Sequence, residues 1–333
     1  MARLLQPVRG ASHLSGAHRS SLAPLTGLRF VAALAVVLDH FWVTFAWWNP
    51  AAGVPSLSTP PPTGWMLLIH TGNLGVDCFF VLSGFILAYT YATSDGGLLG
   101  TRRAFWVARI ARIYPIYLLA LALDFIPYLL REHHVTGVLT SVVAQPLLLQ
   151  AWIPSLDTWN SWDPPSWSLS VEAFFYLLFP LIVMGLGRQS KRVLWIVAGL
   201  SVTVFAILPA LLIYPVATWW PNLSWALDQI LYFNPLIRLP EFTLGVVLGL
   251  LHIRWHEQPK LSRILQTKGV FWDSILVMIL LLTVGSLFLP SPAHYLPDSL
   301  VTPGFGLGIV ILAQQRGGIA KVLSLRPFVW LGE

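Results

Sequence analysis

An all-α, polytopic transmembrane bundle of about nine or ten hydrophobic segments is the fold class that the sequence predicts, and three observations predict it. Of 333 residues, 56% are apolar and only 10% are charged, where a soluble domain carries roughly 25% charged residues. Apolar stretches long enough to cross about 30 Å of hydrocarbon recur along the chain. Between them, Lys/Arg clusters alternate with loops that hold neither residue. The sixteen tryptophans suit interfacial belts. The net charge of +6 is read as a topology signal and not as a nucleic-acid surface. A single cysteine, Cys78, excludes an intramolecular disulfide framework and a Cys-based zinc site.

Residues 1–24 carry Arg3, Arg9 and Arg19 and are read as a short cytoplasmic tail. The apolar stretch after them is too long for a signal peptide and lacks a small-residue cleavage site. Spans are expected at 25–48, 65–92, 113–130, 136–152, 166–187, 192–214, 233–253, 271–290 and 299–315. Arg102, Arg103, Arg109 and Arg112 follow the second span. Arg188, Lys191 and Arg192 follow the fifth, Arg254 to Lys268 the seventh, and Arg316 to Arg326 the ninth. The Pro- and Trp-rich loops 49–64, 153–166, 215–225 and 290–298 have no Lys or Arg and are placed outside. One count conflicts. Inside 102–112 and outside 153–166 require an odd number of crossings, yet two hydrophobic segments lie between them. Either one is re-entrant or incomplete, or 188–192 is misoriented.

Ionisable residues inside a bilayer are costly and mark function by default. In the first span Arg29 and His40 are eleven residues apart, about three helical turns and roughly 16 Å along one face. His40 is a candidate general base; the competing reading is a histidine satisfying a neighbouring helix, with Arg29 snorkelling. Asp39 beside it is read as a partner for that ring or for a neighbour. In the second span Gly75, Ser83 and Gly84 permit close helix approach, and Asp77 is a cap or substrate contact. Arg109 and Arg112, three apart, form a guanidinium fork suited to phosphate, with Arg102 and Arg103 nearby; the competing reading is a lipid-headgroup contact. Glu172, early in an apolar helix after Trp167, can orient an imidazole, receive a hydroxyl proton or bind sugar hydroxyls. Arg238 and Glu241 are spaced to pair, and Gly245 and Gly249 make a small-residue packing face. No histidine grouping, His133 and His134 included, has convincing metal-ligand spacing.

The order of these motifs is specific. Arg29 and His40, then Gly75-Val-Asp-Cys-Phe-Phe-Val-Leu-Ser-Gly-Phe85, then Arg109-Ile-Ala-Arg112-Ile-Tyr-Pro115, then Trp167-Ser-Leu-Ser-Val-Glu172, and later Arg238-Leu-Pro-Glu241-Phe resemble the acyltransferase 3 family over nearly the whole chain. The resemblance implies a cell-membrane O-acyltransferase that moves an acyl group, usually acetyl, from cytoplasmic acyl-CoA to a hydroxyl of a sugar, surface polysaccharide or glycosylated natural product. It implies His40, Glu172 and Asp39 as catalytic residues. Arg29, Arg109, Arg112, Arg102 and Arg103 are then the donor-binding set, and Asp77, Ser83, Trp167, Arg238 and Glu241 the substrate-binding set. Acyl-CoA is expected as a donor substrate, with no permanently bound cofactor, no metal and no nucleic-acid partner. The resemblance also implies a further helix where this chain stops at Leu331-Gly332-Glu333, and a stand-alone type without an esterase-like domain. A proton-coupled carrier or flippase of a glycan or lipid-linked sugar is the alternative class, since it needs the same intramembrane charges. A non-catalytic scaffold is the third.

Overall fold

The computed structural model describes residues 21–48, 71–93, 95–129, 141–153, 162–207, 230–256, 269–286 and 295–333, with isolated positions between them. Among the described residues eight long helical segments alternate in direction. They are α1 (Ala23–Trp48), α2 (Leu74–Tyr91), α3 (Arg102–Leu129), α4 (Trp167–Leu186), α5 (Lys191–Val202, continued by a π turn, Thr203–Ile207), α6 (Pro235–His256), α7 (Gly269–Ser286) and α8 (Tyr295–Ala313). Two short helices follow, α9 (Gly318–Leu323) and α10 (Arg326–Gly332). Five of the long helices are apolar enough over 18 or more residues to cross a bilayer. The chain is an all-α, multi-pass membrane bundle, as its composition predicts.

Contacts fix the directions. Gly72 and Gly75 face Ala35 and Ala32, so α2 returns antiparallel to α1. Trp106, early in α3, bonds to Tyr176 in the middle of α4, while Trp162, just before α4, bonds to Leu121 late in α3. Those two helices are antiparallel too. Asp77 meets Arg238 and Ala88 meets Gly249, so α6 runs parallel to α2. Trp195 packs on Trp255 and Phe205 on Arg238, so α5 opposes α6. Gly304 and Gly308 face Ile279 and Leu276, so α8 opposes α7. Every described Lys and Arg loop cluster consequently gathers at one end of the bundle, called here the basic end.

This arrangement resolves the crossing count and corrects two expected segments. The predicted span 136–152 is not a crossing helix. Among its described residues, 141–144 make one helical turn, Leu148 takes a positive φ of 56°, and Gln150–Trp152 form a 3-10 turn. Pro146 supplies no N–H to a helix, and a left-handed leucine ends one. The freed carbonyls are taken up by side chains. Tyr117 donates to Gln145 O at 2.6 Å, Tyr114 to Pro146 O at 2.9 Å and Ser170 to Leu148 O at 2.5 Å. Non-helical backbone at membrane depth is tolerated only with such internal partners. The second correction concerns α3, which was expected at 113–130. It starts at Arg102, with Thr101 Oγ1 accepting from Ala104 N at 3.2 Å as a cap. Its 28 residues reach about 42 Å. Arg109 and Arg112 therefore stand inside the spanning helix, not in a loop before it.

The packing core is the α2–α6 pair. In lipid, packing rather than water exclusion drives helix association, and small residues let backbones touch. A side chain on Gly84 would overlap the Phe242 carbonyl, and one on Gly245 the Val81 carbonyl. Phe85, Phe175, Phe179 and Phe242 are fully buried around this contact, with Phe175 stacked on Phe242 at 4.7 Å. Outward faces carry Ile116, Leu119 and Leu123 on α3 and Leu280, Leu281 and Leu282 on α7, all exposed, as lipid contact requires. Of the other expectations, residues 1–20 and most of the loops 49–64, 215–225 and 290–298 lie outside the described residues, as do His133 and His134.

Candidate active site

A cavity of about 360 Å³ lies between α1, α2, α3 and α4. Arg29 and Val36 come from α1, Ser83 and Ile86 from α2, Arg109, Arg112 and Ile113 from α3, and Leu169, Glu172 and Tyr176 from α4. The remaining wall is largely apolar, including Val76, Phe79 and Phe80. Its lining on α2 extends from Val76 to Leu87, about 16 Å along the helix axis. The shape is an elongated shaft, cationic on one side.

Three guanidiniums and one carboxylate line this shaft. Among the described residues none of Arg29, Arg109, Arg112 or Glu172 belongs to an ion pair. Arg109 reaches inward: its Nη2 donates to the Tyr91 hydroxyl at 2.8 Å, and its guanidinium carbon lies 5.3 Å from the Tyr91 ring, 5.8 Å from Phe105 and 5.9 Å from Tyr176. Aromatic faces stabilise a cation there without neutralising it. Its Nε is buried with no protein partner. Glu172 Oε1 accepts from the Tyr176 hydroxyl at 2.5 Å and from Ser83 Oγ at 3.4 Å. Arg29 feels the charges of Arg112, Glu172 and Arg109, and its Nη1 donates to the Gly332 carbonyl at 3.3 Å. The tip of α10 thus supports Arg29 from the basic end. Phe328 packs edge-on against Phe30, and a side chain on Gly332 would overlap the Thr26 carbonyl.

His40 lies one turn beyond Val36, past the far end of the α1 wall. Its Nδ1 donates to the Val36 carbonyl at 2.8 Å. A carbonyl can only accept, so Nδ1 carries the hydrogen and Nε2 is left as the basic nitrogen. The ring is oriented by backbone. Asp39 Oδ2 is 3.9 Å from Nδ1, beyond hydrogen-bond distance, and Glu172 is engaged with Tyr176 and Ser83. The side chain of His40 is 40% exposed, so the ring is not sealed inside the bundle. Asp163, half-buried in the loop before α4, also faces it. Burial, and then the Asp124 carboxylate, push the Asp163 carboxyl above the ordinary range, and His40 opposes them.

Three residues expected to bind substrate form a separate centre. Arg238 Nη1 donates to Asp77 Oδ1 at 2.7 Å and to Glu241 Oε1 at 2.6 Å, and Nε donates to the Tyr232 carbonyl at 2.7 Å. The guanidinium sits 4.8–6.0 Å from the rings of Tyr232, Phe205, Trp167 and Phe80. All three charged residues are buried, and none of them lines the shaft. Trp167 packs against Arg238 and Phe80 and belongs to this centre as well. The predicted Arg238–Glu241 pair is present, and Asp77 joins it from 161 residues away. Arg102 and Arg103 are exposed at the start of α3, outside the shaft.

Tyr91 and Tyr176 were assigned no role from sequence. For Tyr176 a signal existed, since it stands one helical turn after Glu172. Tyr91 offered none, because its contact with Arg109 joins two helices. Among the described residues no cluster of three or more His, Cys, Asp or Glu could hold a metal ion.

Comparison with known proteins gives the following. A family model described as an acyltransferase domain matches residues 23–333. Acyltransferase MdmB of Streptomyces mycarofaciens is 32% identical over 237 residues, covering 69% of this chain and 57% of that protein. YrhL of Bacillus subtilis (strain 168), named as a candidate peptidoglycan O-acetyltransferase, is 26% identical over 344 residues, covering 95% of this chain and 47% of its own. A candidate O-acetyltransferase of Staphylococcus aureus (strain COL) is 24% identical over 243 residues, covering 68% and 34%. The chain thus spans about half the length of the curated relatives it matches. No solved structure matches it at a significant level.

Proposed function

Since the chain belongs to the acyltransferase 3 family, we propose that it is a membrane O-acyltransferase using acyl-CoA, with acetyl-CoA the first donor to test. The observation that carries this reading is the shaft itself: Arg29, Arg109 and Arg112 line one cavity with a single carboxylate and no ion pair. Cations gathered in one cavity without ion-pair partners, Arg29 and Arg109 half-buried and Arg112 exposed, suit an anionic ligand. Phosphates of the donor's nucleotide bind Arg109 and Arg112, with Arg102 and Arg103 adding attraction at the mouth. On this reading the basic end faces the cytoplasm, which the positive-inside rule supports. The extended pantetheine arm follows the apolar wall past Arg29, and the thioester reaches the region beyond Val36, where His40 stands.

His40 Nε2 then accepts the proton of the acceptor hydroxyl as its oxygen attacks the thioester carbonyl, and CoA leaves as the thiolate. The Val36 carbonyl fixes the ring, and Asp39 supplies a nearby negative charge that favours the imidazolium as it forms. Glu172, with Oε1 held by Tyr176 and Ser83, offers Oε2 to a polar group of the bound substrates. The acceptor comes from the exposed side of His40, at the end opposite the basic one, and is a hydroxyl of a sugar, a surface polysaccharide or a glycosylated natural product. The names of MdmB and YrhL agree with acyl transfer and, for YrhL, with a glycan acceptor. A carrier needs the same intramembrane charges, but the family match favours the enzyme.

The test is turnover of labelled acetyl-CoA in membranes containing the chain, with His40→Ala at matched expression. Label passing to a hydroxylated product in the wild type alone supports the reading. Equal transfer by the variant removes His40 from the chemistry. Movement of a glycan with no thioester consumed turns the assignment to a carrier.

A further inference from the structure

We propose that two tyrosines, Tyr91 and Tyr176, hold Arg109 and Glu172 apart, so that the cavity keeps an unneutralised cation for its anionic ligand. The inference rests on the reading of the shaft as the site of an anionic donor.

Opposite charges that line one largely apolar cavity attract more strongly than in bulk water. Left to themselves, long side chains such as these close into an ion pair. Here they do not. The Tyr176 hydroxyl occupies Glu172 Oε1 at 2.5 Å, and the Tyr176 ring lies across the Arg109 guanidinium at 5.9 Å. One side chain thus holds the carboxylate with its oxygen and screens the cation with its face. On the other side the Tyr91 hydroxyl takes Arg109 Nη2 at 2.8 Å, and its ring lies 5.3 Å from the guanidinium. The separator is itself anchored, since Trp106 Nε1 donates to the Tyr176 carbonyl at 3.1 Å and ties α3 to α4 at this level. Phe105 closes the aromatic cage at 5.8 Å. Arg109 Nε, buried and without a protein partner, is what an arginine reserved for a ligand leaves over.

Tyrosine suits this task for a physical reason. A second carboxylate near Arg109 would cancel its charge, and an aliphatic residue near Glu172 would leave that oxygen unbonded. A phenol satisfies the acid by donating to it, and satisfies the cation through the ring quadrupole.

The test measures binding of labelled CoA to the purified protein in detergent, with the thermal unfolding midpoint of each variant as a folding control. Tyr176→Phe keeps the ring but leaves Glu172 Oε1 only the long contact from Ser83 Oγ at 3.4 Å, so the carboxylate closes on Arg109; CoA affinity falls about tenfold. Adding Glu172→Gln removes the competing charge and brings CoA affinity back above that of Tyr176→Phe, to within about twofold of the affinity of Glu172→Gln alone. Tyr91→Phe, with and without Glu172→Gln, repeats the test from the arginine side should Tyr176→Phe not fold. A merely structural tyrosine cannot give that rescue. Folded Tyr176→Phe that binds normally, or that weakens binding with no rescue by Glu172→Gln, overturns the proposal. Failure of the wild-type protein to bind CoA overturns the donor reading beneath it, and that result needs no variant.

Discussion

Replacing Arg238 by Met should destabilise the protein more than replacing either of its acids, and the structure gives the size. Arg238 is 3% exposed and, among the described residues, is the sole cation between Asp77 at 2.7 Å and Glu241 at 2.6 Å. Asp77→Asn or Glu241→Gln leaves a neutral pair and one weaker hydrogen bond, a loss of about 1–3 kcal/mol. Arg238→Met leaves two carboxylates facing each other without their counter-charge, and breaking a buried pair in this way costs about 3–5 kcal/mol. It also takes the cation from four aromatic rings, each worth about 0.5–2 kcal/mol. Removing all three charges together, as Arg238→Met/Asp77→Asn/Glu241→Gln, should cost less than Arg238→Met alone, because no uncompensated charge remains. Thermal unfolding in detergent reads this directly. Midpoints that rank Arg238→Met level with Asp77→Asn, or a triple variant less stable than Arg238→Met, would refute the electrostatic account.

Three further predictions follow from separate parts of the structure. Arg109→Ala and Arg112→Ala should each raise the apparent KM for acetyl-CoA at least tenfold, one lost charge-assisted contact, with a smaller change in kcat; a fall in kcat at constant KM would place these residues in the chemistry instead. Gly84→Val should separate α2 from α6, because its side chain would overlap the Phe242 carbonyl, and the yield of folded protein after detergent extraction should collapse, whereas Gly185→Val, with open space at that position, should leave it near wild type. Asp163→Asn should stabilise the protein at neutral pH. The Asp163 carboxyl is raised by burial, so the folded state binds its proton more readily than the unfolded state, and the cost to stability grows as pH rises above the unfolded value and is complete above the folded one. The gain of the asparagine variant should shrink as pH falls toward the unfolded aspartate value of about 3.9; a gain that grows in acid would contradict the burial argument.

Hydropathy, charge alternation and motif spacing are properties of a stretch of chain, and what depends on them was legible in the sequence. The helix that carries Arg29 and His40, the start of α4 before Glu172, and the pairing of Arg238 with Glu241 are local in this sense, because one helix sets which residues share a face within a few turns. So are Gly84 and Gly245 as points of close approach, though not the partners they approach. The crossing count failed where local rules are weakest. An apolar run of ordinary length at 136–152 reads as a span, and only the side chains of Tyr114, Tyr117 and Ser170, supplied by α3 and α4, let Leu148 and its neighbours leave helical geometry at membrane depth. The level of Arg109 and Arg112 was missed for a related reason: a basic cluster marks a membrane end on average, but the Arg109 charge is sheltered here by Phe105 on its own helix and by Tyr91 and Tyr176 from two others.

The sequence by itself determined a helical membrane bundle with one basic end, and the order of motifs that places it in its family. Tertiary structure decided which charges are paired and which are kept free. Asp77 and Arg238, 161 residues apart, neutralise each other, while Arg109 and Glu172, lining one cavity, do not. In a medium that cannot solvate an ion, the difference lies in whether a carboxylate or a phenol stands beside the guanidinium, and that neighbour is chosen by helix packing, which no periodicity within a single helix records.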